Sequence, residues 1–306
     1  MTNTYRRLMA VATGQLGLLS RRQANGVGVS NAQLRSRVSS GSLVQVGVDT
    51  YRLPGAPTGA LAELHALMLD IGGEVWASGP TAAALHGFDG YHLRPPFDVT
   101  ILRGRDVKRV GHRVHTTAML ELIDRALVDG VPTLSGARTL IDLARTERRE
   151  RLTEAFDSGL RDGRFNEAIV HRRIVALRSR GRFGIPRLLD AIEGAEAIRG
   201  GHSWLEREYL RLVSAAGLPI PLTQQVLARA SDKLVRVDFR FVNTPVVVEV
   251  LGYRSHRSKE QLRRDADRMN ALLADGLLPY QFAYEHVVET PEVVVGTTRS
   301  ALAPYL

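Results

Sequence analysis

A chain of 306 residues, 44% apolar and 24% charged, has ordinary globular composition; it is long enough for two or three domains, and no apolar run approaches bilayer length. Without cysteine it has no disulfide and no thiol nucleophile, and any bound metal must use carboxylate or imidazole, which favours Mg2+ or Mn2+. Forty-one basic against 32 acidic side chains leave +9, and residues 1–52 hold seven arginines and one acid, a footprint for phosphates. The first twenty residues lack the apolar core and cleavage site of a signal peptide, so the expected location is cytoplasmic, with no membrane partner.

In chain order, 5–13 reads as a helix, 20–25 as a second opened by Ser20, and a third runs from Ser30 to Gly41 with Leu34 and Val38 inward. Segments 43–46 and 50–53 alternate as strands around Gly47-Val48-Asp49. Residues 1–54 are thus expected to form a winged helix-turn-helix whose third helix enters the major groove of double-stranded DNA. Gln33 and Ser36 face outward to read base edges, while Arg21, Arg22, Arg35 and Arg37 anchor phosphates. The other use of such a module is protein contact.

Residues 59–146 mix helices and strands as an α+β domain without a catalytic constellation; His86 has no second ligand at metal spacing and is expected to be packed. Residues 149–199 read as a charged helical connector. Residues 202–306 follow a mixed α/β order: a helix from Ser203, strands at 235–241 and 246–251, a long helix over 258–274, a strand at 278–282 and a last helix near 291–301.

In the first of those strands Val235, Val237, Phe239 and Phe241 share one face, leaving Arg236, Asp238 and Arg240 on the other. A turn at Asn243-Thr244 pairs 242 with 245 and so sets Asp238 opposite Glu249, with Cβ atoms about 4.5–5.5 Å apart. Two carboxylates that close need neutralising. A divalent cation can do so and activate water for phosphodiester hydrolysis, and so can an ion-pair network with Arg236 and Arg240. Both readings stand on the residues alone. Ser203 and Glu206 have the spacing of a capping box, which accounts for Glu206 without catalysis.

The stretches Leu19-Ser20-Arg21-Arg22-Gln23-Ala24, Gly28-Val29-Ser30 and Asp49-Thr50-Tyr51-Arg52-Leu53 resemble the winged helix of AbiEi-type antitoxins. That likeness continues through Ser78-Gly79-Pro80-Thr81 and Ala137-Arg138-Thr139-Leu140 over the first half of the chain. It implies a promoter-binding repressor and leaves a cognate toxin or other protein partner open. Asp238, Glu249, Gly252, His256 and Asp265 with Arg268 resemble the very-short-patch-repair-like branch of PD-(D/E)xK nucleases, over about the last hundred residues. This implies a restriction-endonuclease-like α/β domain, with Asp238 and Glu249 as magnesium ligands, Glu206 as a third and His256 assisting water or phosphate. One position departs from the pattern. Leu251 stands where the superfamily carries lysine and this branch a carboxylate, and leucine neither binds a cation nor orients water.

The resulting expectation is a DNA-binding protein with a metal-dependent endonuclease-like domain, weakened at Leu251. The alternative is an antitoxin-like regulator on a catalytically inactive nuclease fold.

Overall fold

The computed structural model describes residues 3–178, 184–199, 203–227, 235–252 and 259–306. Among them are thirteen α-helices and three sheets, a mixed α/β architecture. No described helix is long and apolar enough to cross a membrane. The chain divides into two compact units, residues 1–143 with 158–164, and 144–157 with 165–306.

The first unit begins with α1 (Asn3–Thr13), β1 (Leu18–Ser20), α2 (Arg21–Gly26), α3 (Asn31–Ser39), β2 (Val44–Gln45) and β3 (Thr50–Arg52). Two capping boxes set the helix starts: Ser20 with Gln23 for α2 and Ser30 with Gln33 for α3. Each satisfies amide donors that the first helical turn leaves open. Leu8, Leu19, Leu34, Leu43 and Tyr51 bury a common core, with Val38 packed against it. The small sheet runs β1-β3-β2, so the expected two-stranded wing gains a third strand ahead of α2.

The unit continues with α4 (Ala60–Ile71), β4 (Val75–Ala77), α5 (Gly79–His86), β5 (Asp98–Leu102), β6 (Arg113–Thr117), β7 (Arg125–Val128), β8 (Val131–Leu134) and α6 (Gly136–Leu143). Its five-stranded sheet has the order β6-β5-β4-β8-β7. The β7–β8 hairpin turns on Asp129 and Gly130, both at positive φ (49° and 79°), the requirement of a tight two-residue turn. His86 is buried, donates from Nε2 to the Leu134 carbonyl at 2.7 Å and stacks on Phe88. It is a packed histidine.

The second unit takes in the helical stretch α7 (Arg149–Arg161, up to Asp157), α8 (Glu167–Leu177) and α9 (Ile185–Arg199). It continues with α10 (Trp204–Ala215), β9 (Leu222–Leu227), β10 (Val235–Arg240), β11 (Val246–Leu251), α11 (Lys259–Ala274), β12 (Leu278–Ala283), α12 (Tyr284–Glu289) and α13 (Pro291–Leu302). The sheet order is β12-β11-β10-β9, with β11 and β12 parallel and the other pairs antiparallel. Parallel neighbours need a crossover, and α11 provides it. Tyr209 of α10 is buried, its ring centroid 4.6 Å from that of Phe239 and 5.9 Å from that of Phe282. Val246, Val247 and Val248 are buried without alternation, as expected of a strand covered on both faces.

Candidate nucleic-acid interface and carboxylate cluster

On the N-terminal module, Arg22, Gln33, Arg35 and Ser36 are exposed. Their roles divide once contacts are counted. The Oε1 of Gln33 accepts from the Ser30 amide at 2.8 Å, completing the capping box, so that oxygen is held against the start of α3. A bidentate grip on adenine needs both ends of the amide; Gln33 offers one. Arg37 is half-buried with its guanidinium 5.2 Å above the Tyr5 ring of α1. Arg21 pairs with Asp49 at 3.0 Å and donates to the Val48 carbonyl at 3.2 Å, which ties α2 to the wing. Arg22 and Arg35 are the arginines of this set left pointing at solvent without an ion pair among the described residues.

The wing is fixed from the other side by Asp70 of α4. Its Oδ1 accepts from the Asp49 amide at 2.6 Å and its Oδ2 lies 2.5 Å from Arg109 Nε. Burial pushes the Asp70 carboxyl up, but these hydrogen bonds and the Arg109 charge outweigh it and hold the group below the usual range. Gly47 is required here, because a Cβ would stand 2.5 Å from Asp70 Oδ1.

In the second unit the hairpin register is the expected one: Phe239 pairs with Val248 and Arg240 with Val247. At the next step the ladder gives way to a side chain. The Val250 amide donates to Asp238 Oδ2 at 3.0 Å. Burial raises the Asp238 carboxyl above the ordinary range, and the charges of Glu206 and Glu249 raise it further against the Val250 hydrogen bond and Arg268. Glu206 of α10 and Glu249 of β11 therefore both bear on Asp238 of β10.

Each of the three is engaged. Glu249 is 4% exposed, with Gln281 Nε2 donating to Oε2 at 3.0 Å and Arg268 Nη2 2.5 Å from Oε1. Arg268 also donates to the Arg236 carbonyl. Ser203 caps α10 by accepting from the Glu206 amide at 3.2 Å, while the Glu206 carboxylate accepts from Gln224 at 2.7 Å. The sequence pointed to Arg236 and Arg240 as counter-ions; the arginine on Glu249 is Arg268 of α11. Leu251 is half-buried at the end of β11, beside Ala283 of β12. His256 lies outside the described residues.

As arranged, these side chains do not fit a bound Mg2+ or Mn2+. Among the described residues no group of three or more histidine, aspartate or glutamate side chains is placed to hold one ion. A cation would have to displace Arg268 from Glu249, and Leu251 adds no ligand.

No family model matches the chain. Two curated relatives are similar to it, the uncharacterized protein Rv2248 of Mycobacterium tuberculosis (strain ATCC 25618 / H37Rv) and the uncharacterized protein MT2308 of strain CDC 1551 / Oshkosh. Each is 26% identical over 252 residues, covering 78% of this chain and 85% of the relative. Among solved structures, the crystal structure of the Rv2827c protein from Mycobacterium tuberculosis is similar at a TM-score of 0.48 and 14% identity, over 76% of this chain and 90% of that one.

Proposed function

We propose that this chain is a DNA-binding regulator whose second unit has a restriction-endonuclease-like arrangement and does not cut. The observation that carries DNA binding is the helix pair α2–α3, each helix started by a serine–glutamine capping box, presenting Arg22, Arg35 and Ser36 to solvent next to a β-wing. In this reading α3 enters the major groove of duplex DNA. Arg22 and Arg35 take phosphates, and Ser36 with the amide nitrogen of Gln33 meets base edges. The excess of seven arginines over one acid in residues 1–52 supplies the attraction.

The absence of cutting is supported by the Glu249–Arg268 pair and by Leu251. A second reading, hydrolysis of DNA with Mg2+ or Mn2+ on Asp238, Glu249 and Glu206, is favoured by the influence of Glu206 and Glu249 on Asp238. It requires Arg268 to release Glu249. A toxin or other protein partner rests on the likeness of the first half to AbiEi-type antitoxins.

The test is fluorescence anisotropy of a labelled duplex over a salt series, run beside supercoiled plasmid with Mg2+ or Mn2+. Binding whose log affinity falls with log salt, on plasmid that stays intact, supports the regulator. No binding at low salt refutes the DNA reading. Nicking that vanishes in Glu249→Ala refutes the non-cutting reading.

A further inference from the structure

A cavity of about 470 Å³ lies in the first unit, walled by the wing and by α4. That size falls within the roughly 300–1,000 Å³ of small-molecule sites. Its floor is apolar: Leu18 of β1 and Ala66 and Leu67 of α4 are buried there.

The charged groups around it sort by partner. Arg109 is committed to Asp70, 2.5 Å from its Oδ2 and donating to its carbonyl at 2.7 Å, so that pair is neutral. Arg52 and Lys108 also line the cavity, and neither makes an ion pair among the described residues. Glu63 is the remaining acid in the lining. Two cations against one acid leave a single positive charge over an apolar floor. A neutral ligand would leave that charge uncompensated, and a dianion would overshoot it. His112 adds polarity of fixed sense. Its Nδ1 accepts from the Phe97 amide at 3.2 Å and its ring stacks on Phe97, so the neutral ring carries its proton on Nε2 as a donor.

We propose that this cavity binds a small monocarboxylate with an apolar body, an aromatic or branched-chain acid. Arg52 and Lys108 hold its carboxylate, and its body lies on Ala66 and Leu67. The wing registers occupancy, because Gly47 and Val48 line the cavity and the Asp49 amide is bonded to Asp70. Occupancy itself does not depend on DNA binding; only its use as an effector signal rests on the regulator reading.

The experiment is a titration of isotope-labelled full-length protein with benzoate, with benzamide as the neutral control, followed through backbone amide spectra. Benzoate should give saturable shifts at Gly47, Val48 and Asp49, and benzamide should bind roughly tenfold more weakly. Lys108→Glu changes an exposed side chain, keeps the folded spectrum and should weaken benzoate by about tenfold. Ala66→Phe fills the floor and should abolish the shifts. Three results would overturn the proposal: no saturable shift up to about 20 mM benzoate, equal affinity for benzamide, or unchanged affinity in Lys108→Glu. Since no arm contains DNA, failure here is separable from failure of the anisotropy experiment.

Discussion

Arg268 on α11 and Glu249 on β11 meet at 2.5 Å, a 39%-exposed arginine side chain against an almost fully buried acid. Deleting the guanidinium leaves a carboxylate in the sheet with Gln281 as its one hydrogen-bond donor among the described residues. For a fully buried pair that costs about 3–5 kcal/mol; with the arginine partly in water, Arg268→Ala should cost on the order of 2 kcal/mol. Urea denaturation measures it. Mn2+ should restore part of the loss, since removing the arginine lets a cation approach the acids of the folded state. Equal stability of variant and wild type would show that the pair contributes nothing.

Asp238 sets a pH dependence of definite sign. Burial first, then Glu206 and Glu249, raise its folded-state pKa above the ordinary 3.8. Between those two values the folded state holds a proton that the unfolded chain has released, so stability falls as pH rises. The contribution is complete below the unfolded value and lost once pH passes the raised one. Asp238→Asn stays neutral and keeps an acceptor for the Val250 amide. The gain of Asn over wild type should therefore grow upward from pH 3.8 and then level off. Urea midpoints across a pH series check this, and a flat difference would contradict it.

The hairpin register was legible because period-two alternation and the Asn243-Thr244 turn leave little freedom, and Phe239 does pair with Val248. Arg268 as the partner of Glu249 was not, because it arrives by a crossover helix, and Gln281 arrives by parallel pairing beyond that helix. Neither proximity has a local signature. Gln33 is different. Its spacing from Ser30 is the S-x-x-Q capping signal, the same logic applied to Ser203 and Glu206, and it could have been read. So could the β7–β8 hairpin, announced by Asp129-Gly130. At Glu206 the cap exists, yet it uses the backbone amide, which leaves the carboxylate to Gln224.

The two arginines of α3 should behave differently in DNA binding. Arg35 is exposed, and replacing it by alanine should reduce the slope of log affinity on log salt by about 0.9, one phosphate contact. Arg37 lies over Tyr5, so Arg37→Ala should leave the slope nearly unchanged and cost about 0.5–1 kcal/mol of stability instead. Anisotropy over a salt series and thermal unfolding separate the two. A reversed pattern would mean that Arg37 leaves Tyr5 on binding.

Arg138 anchors the five-stranded-sheet domain from within. Its guanidinium lies 3.1 Å from Asp124 and 3.2 Å from Asp142, and both Arg138 and Asp124 are buried. Arg138→Ala takes the guanidinium away from the buried Asp124 carboxylate and should cost about 3–5 kcal/mol, whereas Arg138→Met with Asp124→Leu should come close to neutral. Chemical denaturation of the three proteins checks the contrast. A double variant as unstable as the single one would mean that the pair does more than balance charge.

Leu251 decides between the two readings of the second unit. It lies two residues from Glu249 on β11, which puts both on the same face by the period of a strand. Leu251→Asp adds an acid to a cluster whose Glu249 is already paired with Arg268, so without metal it should lose roughly 1–3 kcal/mol. Combined with Arg268→Ala, it gives Asp238, Glu249 and the new carboxylate a shared need for a cation that the natural side chains lack. Mn2+ should then raise the thermal midpoint of the double variant well beyond any effect on wild type, through binding to the folded state alone. Plasmid nicking, if the remaining residues can orient water, should follow the same order, with none in wild type. Nicking by wild type that Glu249→Ala abolishes would overturn the non-cutting reading and show that a group other than residue 251 completes the site. A double variant indifferent to Mn2+ would show that exchanging the arginine and the leucine is not enough to make this cluster a metal site, and that the difference from a working nuclease lies deeper in the fold.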